Sequence, residues 1–478
     1  MKRREFLQYV TLSTASLVFA ACSKTVNQAK PVAFGQPEKK DINIGFVPSI
    51  ECLPLIVAKS KGFFKEQGLT VNLVKFDTWD AVKEGLSKGK IDVAEAPFAL
   101  PLWSQVSKDK SPLIALMGLN MNGGSVGMSK KLWDKGLRPS TKFNYRQEYS
   151  ELYNGYVRGR KTVAKEPDKG KDKDKGEKDK EKDTGGLPIF AIDHPASMSH
   201  YLARYWLATM QIAPDRSFKF QVMNEKDLRA GLQSGKVEAY VTEESVQQQL
   251  IKAKLGFTSY VNRDIWRGHP DKILTTTATW AKQNPIGTKA VIASVLAACQ
   301  FCDLERFRKE EEKNPIDLEQ QLVKPEYLPG ADPKSVKTLL TGTYQYEAID
   351  PKQPIKVPMN DFNIFHSVDK TTYLKEPNHA NFLWKSHAVW VLTQMVRWGQ
   401  LNLAEYPKNA EDLINAAYGL DAYKEVAKAV GLKIPEEASR KETSTAFIDK
   451  MLFDPGQAVN YINGFDLRAS LETDEDLT

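Results

Sequence analysis

The fold is decided by residues 41–94, which read DINIGFVPSIECLPLIVAKSKGFFKEQGLTVNLVKFDTWDAVKEGLSKGKIDVA. Two kinds of periodicity alternate here: stretches in which every second residue is apolar, and stretches with apolar residues at helical spacing. The order strand–helix–strand–helix–strand at this spacing predicts a parallel sheet flanked by helices. We expect strands over residues 42–48, 70–76 and 91–94, and helices over 53–64 and 80–87.

The same alternation returns further along the chain, with predicted strands over 188–192, 218–222 and 237–241 and helices over 199–210 and 225–234. Two α/β units in one chain indicate a hinged, two-lobed protein whose ligand lies in the cleft. In such sheets ligands bind at the carboxyl ends of the strands, so the loops after Val47, Phe76 and Ala94 are the first candidates. The predicted division assigns 41–135 plus 260–478 to lobe I with a helical C-terminal region, and 136–259 to lobe II.

A strongly charged segment interrupts the second lobe. Residues 158–186 read RGRKTVAKEPDKGKDKDKGEKDKEKDTGG and contain almost no apolar side chains. Such a composition cannot bury enough surface to fold, so we expect a disordered, solvated insertion. Beyond about residue 284 the chain is expected to be mostly helical, and the amphipathic helix 384–398 is expected to pack across the lobes.

The N-terminus resembles an export signal. Lys2, Arg3 and Arg4 precede a mild apolar stretch that is too short to span a membrane, and the paired arginines resemble a twin-arginine signal. The run Phe19-Ala20-Ala21-Cys22 is similar to a lipobox, in which the Cys22 thiol receives a lipid; the alternative is ordinary cleavage after Ala21. We therefore predict a signal peptide over 1–22, a polar tether over 23–40, and a lipid-anchored protein on the periplasmic side of the plasma membrane.

Composition excludes several other classes of protein. The net charge of +7 is accompanied by no aromatic-rich basic motif or phosphate-cradling glycine loop, which argues against nucleic-acid binding. Four cysteines are too few for a disulfide scaffold. Cys299 and Cys302 lie three residues apart in an apolar helical run, so core packing explains them better than a zinc site. No Ser-His-Asp, Cys-His or paired-acid arrangement suggests catalysis, and no later segment has about 18 uninterrupted apolar residues.

Several segments together resemble the solute-binding proteins of nitrate and bicarbonate ABC transporters, a branch of the type II periplasmic-binding fold. They are GFVPSIECLPLIVAKSKGFFKEQGL, ARYWLATMQIAPD, DIWRGHPDKILTTTATWAKQNP and FDPGQAVNYINGF, together with WKSHAVWVLTQMVRWGQL. The resemblance covers essentially the whole chain after the predicted signal peptide, except the charged insertion. It implies two α/β lobes, a small oxyanion in the cleft, delivery to an ABC permease with its ATPase, and no enzymatic activity.

The first candidate ligand residues follow from the resemblance in lobe I. Trp79, next to Thr78 after the second strand, resembles the family's cleft tryptophan, whose indole N–H can donate to an oxyanion; the alternative is core packing. The segment Asn122-Gly123-Gly124-Ser125 resembles one that supplies backbone amides and, in nitrate binders, a glutamine at the position of Gly124. Asn-Gly-Gly also favours a simple turn.

The remaining candidates lie in lobe II. Ser197, Ser199 and His200 precede or open a helix, where free amides favour an anion, although either serine could simply cap the helix. Glu243 resembles a charged family position that faces the ligand. A bare carboxylate repels nitrate, whereas bicarbonate can donate a proton to it, and a bound Ca²⁺ could offset its charge. A solvated surface glutamate is the alternative.

Three hypotheses follow for the function. The first is an oxyanion-binding lipoprotein of an ABC importer, of bicarbonate or nitrate/nitrite type, without cofactor apart from the Ca²⁺ that Glu243 could hold. The second is a repurposed, ligand-free sensor or assembly partner, or a binder of another solute such as a sulfonate. The third is an enzyme on the same fold, such as a pyrimidine-precursor synthase.

Overall fold

The structure is a computed structural model that describes residues 34–142, 151, 155, 187–307, 317–367 and 380–468. The predicted signal peptide 1–22 with Cys22, most of the tether and the charged insertion 158–186 lie outside the described residues.

Fourteen strands form within the described part of the chain. Buried and exposed positions follow the sequence closely: Val93–Pro97 is buried along its whole length, whereas Thr70–Lys75 is half-buried at an edge. The strands are β1 Asp41–Phe46, β2 Thr70–Lys75, β3 Val93–Pro97, β4 Leu113–Gly118, β5 Met121–Asn122, β6 Ser125–Ser129, β7 Ile189–Ile192, β8 Lys219–Val222, β9 Val237–Tyr240, β10 Gly256–Val261, β11 Lys272–Thr277, β12 Thr343–Gln345, β13 Lys356–Pro358 and β14 Asn363–Ile364.

Ten of the strands build two five-stranded sheets, one in each lobe, and the other four form the two-stranded pairs β12-β13 and β14-β5. The first has the order β2-β1-β3-β11-β4, and the second has the order β10-β6-β9-β7-β8. In the first sheet β1 pairs in parallel with β2 and β3, as the sequence predicted. The return strand β11 inserts antiparallel between β3 and β4, so the sheet is mixed rather than purely parallel.

Helices cover both sheets, and their starts follow local capping chemistry. Thr78, Ser197 and Asn224 each accept a hydrogen bond from a backbone amide in the first turn of the helix that follows. The helices of the lobes are Leu53–Ser60, Phe63–Glu66, Trp79–Ser87, Leu100–Val106, Lys130–Asp134, Met198–Thr209, Pro214–Ser217, Glu225–Gln233, Glu244–Lys252, Asn262–Ile265 and Ala278–Gln283. Those of the C-terminal region are Pro285–Phe307, Leu318–Leu322, Pro333–Leu340, Lys385–Arg397, Ala410–Ala417, Asp421–Ala429 and Ala458–Asn463.

The chain passes from the first sheet to the second earlier than the predicted boundary at residue 136. Strand β6, over Ser125–Ser129, already belongs to the second sheet, between β10 and β9. The crossing lies at Asn122-Gly123-Gly124, three consecutive residues with positive φ. Because glycine adopts this conformation without steric cost, the Gly-Gly pair turns the chain between sheets. The chain returns from the second sheet after Val261, where β10 ends.

Two features of the C-terminal region match the sequence analysis. The helix Lys385–Arg397 contacts both lobes: the ring of His387 lies 6.4 Å from that of Phe98 in the first, and Trp390 lies 5.9 Å from Tyr205 in the second. Cys299 and Cys302 are fully buried free thiols inside the helix Pro285–Phe307. Among the described helices, this one has the length and apolar character to cross a bilayer, but 72% of its most apolar stretch is buried inside the protein.

Candidate functional site

A cleft of about 950 Å³ opens between the two lobes. Its inner walls are the carboxyl ends of strands from both sheets, where parallel strands present their following loops. Val47 and Pro48 follow β1, Trp79 opens the helix after β2, Asp193 follows β7 and Glu243 follows β9. The sequence predicted the loops after β1 and β2 correctly, whereas the loop after β3 does not contribute to the lining.

Trp79 and Glu243 meet across this cleft. The Trp79 side chain is 2% exposed and is held at the first turn of its helix, where Thr78 caps the helix by accepting from the amide of Ala81. The Trp79 indole Nε1 donates to Glu243 Oε1 at 3.1 Å. The predicted donor therefore does point into the cleft, and in this structure its acceptor is a carboxylate of the opposite lobe.

Lys272, which sequence reasoning missed, completes this contact. It opens β11 in the first sheet, is 5% exposed, and places its ammonium 3.3 Å from Glu243 Oε2 and 3.4 Å from Asp271 Oδ1. The same ammonium lies 5.4 Å from the centre of the Trp79 ring. The two oxygens of the Glu243 carboxylate thus contact an indole N–H and an ammonium, both from the first lobe.

Further buried carboxylates surround this lysine. Glu51 accepts from the Asn363 amide at 3.0 Å, Glu95 accepts from the Ser49 hydroxyl at 3.3 Å, and Asp193 accepts from the Ser197 hydroxyl at 2.7 Å. The second oxygen of Glu51 and of Glu95 has no hydrogen-bond partner among the described residues. An unpaired buried carboxylate is costly, which favours its protonated form.

The pKa values follow from burial and from this crowding. Burial raises the pKa of Glu243 to about 7 and that of Glu51 to about 8, although Lys272 acts in the opposite direction on both. Burial also raises the pKa of Glu95 well above its ordinary value and that of Asp193 above its own. Burial alone would lower the pKa of Lys272, but its carboxylate neighbours together raise it well above the ordinary value, so the ammonium stays charged.

The segment Asn122 to Ser125 does not line the cleft. The Asn122 side chain donates to the Asp361 carbonyl at 2.8 Å and accepts from the Gly268 amide at 2.7 Å, and the Gly123 amide donates to the Phe362 carbonyl. Ser125 Oγ donates to Glu244 Oε2 at 2.9 Å. These groups hold the sheet crossing and the C-terminal region together, so the turn interpretation describes them better than ligand binding.

Gly124 lies against a buried hydrogen bond of the second lobe. Asn262 Nδ2 donates to Ser199 Oγ at 2.8 Å, and a β-carbon at position 124 would lie 2.5 Å from Asn262 Nδ2 and 2.7 Å from Ser199 Oγ. No side chain fits there unless these neighbours move. This close packing explains why a glycine, and not the expected glutamine, occupies position 124.

Ser197 and His200 are likewise occupied by the protein itself. Ser197 caps its helix by accepting from the His200 amide at 3.2 Å. The His200 Nε2 accepts from Arg204 Nε at 2.7 Å, so the proton lies on Nδ1, which donates to the Pro195 carbonyl at 2.9 Å. Burial and the Arg204 charge lower the pKa of His200 well below its ordinary value, and the ring is neutral. Neither residue lines the cleft, as the capping alternative implied.

Two more contacts join the lobes beside Trp79. His194 Nε2, after β7, lies 3.4 Å from Asp80 Oδ1, and Ser245 Oγ donates to the Pro48 carbonyl at 3.5 Å. With the Trp79–Glu243 hydrogen bond they hold this edge of the cleft closed. The site can therefore hold a small planar anion between an N–H and an ammonium, but Glu243 occupies those donors.

The carboxylates do not form a metal site. Over residues 34–142, 187–307, 317–367 and 380–468, no group of three or more His, Cys, Asp or Glu side chains has the arrangement to hold a metal ion. The Lys272 ammonium lies at the place between Glu243 and Asp271 that a cation would need. The Ca²⁺ contact of Glu243 stays a prediction.

The missed residues had little local signal in the sequence. Glu51, Glu95 and Lys272 each adjoin or interrupt an apolar strand or helix, where a charged side chain is unusual. They are 44 to 221 residues apart along the chain, so only the pairing of β11 with β3 shows that they meet.

Comparisons with known proteins agree with this architecture. The crystal structure of the periplasmic nitrate-binding protein NrtA from Synechocystis superposes with a TM-score of 0.72 at 23% identity, covering 91% of this chain and all of that one. This likeness confirms the predicted two-lobed periplasmic-binding fold.

Relatives by sequence have similar descriptions. The nitrate/nitrite binding protein NrtA of Nostoc is 26% identical over 441 residues, which is 90% of this chain and 87% of that protein. The nitrate import ATP-binding protein NrtC of Synechocystis is 27% identical over 443 residues, 92% of this chain. The chain spans 57% of the length of NrtC. The sequence model of the NMT1-like family matches residues 35–314, more than half of the chain, and the chain therefore belongs to the NMT1-like family.

Proposed function

We propose that this protein is the solute-binding component of an ABC importer and captures a small oxyanion in its interlobe cleft. The observation that carries the proposal is the pair of donors that contact Glu243, a residue of the cleft wall. The Trp79 N–H and the Lys272 ammonium converge on the two oxygens of one carboxylate, a planar oxyanion group similar in shape to nitrate or bicarbonate. The nitrate/nitrite-binding relatives support the same class of solute.

We propose that the cleft serves to deliver the solute to a permease and its ATPase, and not to convert the solute chemically. The relatives include a binding protein and an ATP-binding protein of nitrate import. We place the protein on the periplasmic side of the membrane, exported by a twin-arginine-like signal and anchored through Cys22. Replacing Cys22 with Ala should release the protein from the membrane fraction; a variant that stays membrane-bound contradicts the anchor.

Titration calorimetry of the folded protein tests the solute class. Nitrate, nitrite, bicarbonate and an alkanesulfonate are compared with chloride, each with and without Ca²⁺, over about pH 5.5 to 8, the range in which Glu243 titrates. Lys272→Met should abolish binding of the preferred anion. Lys226→Met, which removes a charge at the cleft rim, should change it little because exposed charges are screened. Failure to bind any of these anions under any condition would refute the proposal.

A second candidate is a protein that no longer carries a solute and serves as a sensor or assembly partner. It is favoured by one observation, that Glu243 already occupies both donors. A protein that binds no anion even after Glu243 has been neutralised fits this candidate. Turnover of any cleft ligand would instead indicate an enzyme.

A further inference from the structure

The Glu243 carboxylate lies where the solute is proposed to lie. It belongs to the second lobe, at the start of the helix Glu244–Lys252, and reaches across to two donors of the first lobe. Its Oε1 accepts from Trp79 Nε1 at 3.1 Å and its Oε2 lies 3.3 Å from Lys272 Nζ. An oxyanion cannot accept from the single Trp79 N–H while the carboxylate holds it, and it would have to share the Lys272 ammonium with Glu243 and Asp271.

The charges around Glu243 make an added anion unfavourable. The charged groups around Glu243 are Asp193 after β7, Asp271 just before β11, Lys272 at the start of β11, Glu51 just before the helix Leu53–Ser60, Glu95 in β3, and Glu244 in the helix that Glu243 precedes. Of these charged groups, Lys272 alone is a cation. One ammonium cannot compensate both an ionised Glu243 and a bound anion in a buried site.

We propose that Glu243 is an internal competitor of the solute: an incoming oxyanion takes over the Trp79 N–H and the Lys272 ammonium, and the displaced Glu243 takes up one proton from solvent. This inference rests on the proposed function and adds to it the way in which binding is regulated. The O–H bond of the Glu243 carboxyl group is the one covalent bond that forms. The anion brings the negative charge that Glu243 loses, so the net charge of the site is the same before and after.

The energetics of Glu243 fit such an exchange. Its pKa is already raised to about 7 by burial, so protonation near neutral pH requires little free energy. The Lys272 contact lowers the pKa of Glu243, so the loss of this contact raises it. The arrival of an anion raises the pKa further. Above about pH 7 the free protein holds an ionised Glu243, so each bound anion brings one proton and the affinity falls about tenfold per pH unit.

Proton uptake is the direct measurement. Nitrate is the probe, because bicarbonate itself titrates in this range, and the calorimetry uses amine buffers of different ionisation enthalpy, because sulfonate and phosphate buffers are themselves oxyanions. At about pH 8 the wild type should take up about one proton per nitrate, and at about pH 5.5 almost none. Glu243→Gln should take up almost no proton at pH 5.5 and clearly less than the wild type at pH 8, where Glu51, with its pKa of about 8, still titrates beside the bound anion. It should bind nitrate at least about tenfold more tightly than the wild type at pH 8.

Glu225→Gln is the matched control. Glu225 lines the same cleft on its rim and pairs with Arg229 at 3.1 Å, but it contacts neither Trp79 nor Lys272 in the described structure. Its loss removes one negative charge from the cleft, yet the proton uptake and its dependence on pH should match the wild type. Uptake of about one proton at pH 8 in Glu243→Gln, or loss of the uptake in Glu225→Gln, overturns the inference.

A second experiment does not depend on the natural solute. In Glu243→Ala the donors of Trp79 and Lys272 are left with room for a small carboxylate, so formate should bind and raise Tm, at least about tenfold more tightly than it binds the wild type. Equal binding of formate to both proteins overturns the inference.

The outcomes for the inference and for the proposed function can be told apart. If wild type binds nitrate, nitrite or bicarbonate without proton uptake, the inference fails and the function stands. If wild type and both Glu243 variants bind no anion, the function fails and the inference fails with it. Circular dichroism of each variant establishes that it is folded.

Discussion

Replacement of Lys272 by Met should destabilise the protein in a way that depends strongly on pH. The ammonium lies 3.3 Å from Glu243 and 3.4 Å from Asp271 and is almost completely buried. At an effective dielectric constant of about 20, each contact is worth about 5 kcal/mol, against a desolvation cost of several kcal/mol for the ammonium. Removing one partner of such a buried arrangement lowers the free energy of unfolding by about 3–5 kcal/mol, and we expect this loss at about pH 8.

At about pH 5 the same substitution should cost much less, because Glu51 and Glu243 are protonated there. Their folded pKa values of about 8 and about 7 exceed those of the unfolded chain. Stability from these groups is therefore fully present below the unfolded pKa and is lost as the pH rises through the folded pKa. Without Lys272 the folded pKa values rise further, and the loss becomes steeper.

Urea unfolding of wild type and Lys272→Met at the two pH values measures this difference. Lys289→Met is the matched control: Lys289 pairs with Glu425 at 2.7 Å, but the Glu425 side chain is 61% exposed, so the expected cost is about 0–1 kcal/mol at both pH values. An equal loss for Lys272→Met at both pH values, or a loss below about 1 kcal/mol at pH 8, would show that the carboxylates around Lys272 are not held as described.

In thermal unfolding, Gly124→Ala should lower the stability by about 1–3 kcal/mol more than Gly431→Ala. Both glycines have positive φ, but only at position 124 would a β-carbon lie 2.5 Å from Asn262 Nδ2. Equal losses would contradict the close packing described around Gly124. His200 should stay neutral with its proton on Nδ1 between about pH 5.5 and 8, which ¹⁵N NMR of the imidazole measures; a titrating ring would contradict the Arg204 contact. Cys299 and Cys302 should resist alkylation in the native protein and react after unfolding, which peptide mapping measures. Alkylation of either cysteine in the native protein would contradict its burial.

Local patterns in the sequence were enough to predict most of the fold. The alternation over residues 41–94 gave β1, β2 and β3 and the intervening helices, because each element buries its own apolar side as it forms. The place of β11 was not predictable in this way. It enters the first sheet 175 residues after β3, and its antiparallel pairing there depends on the path of the chain through the whole second lobe.

The candidate site shows the same limit. Trp79 was predicted from its place after a strand and from the family resemblance, and Glu243 from the resemblance alone; the structure puts them in one contact. The polar side chains of Asn122, Ser199 and His200 were predicted as ligands, but each is occupied by a protein partner. The partners of Asn122 and Ser199 are far away in sequence, whereas Arg204 lies one helical turn from His200. Polar residue types indicate that a hydrogen bond will form, and only the tertiary structure decides whether the partner is protein or solute.

The helix Lys385–Arg397 has a consequence for how a solute could enter. It touches the first lobe through His387 and the second through Trp390, on contacts made of packed rings. We expect these buried ring contacts to persist when the polar contacts of Trp79, His194 and Ser245 break, so an opening of the cleft would pivot near this helix. A solute would then enter at the edge of the cleft that these polar contacts close.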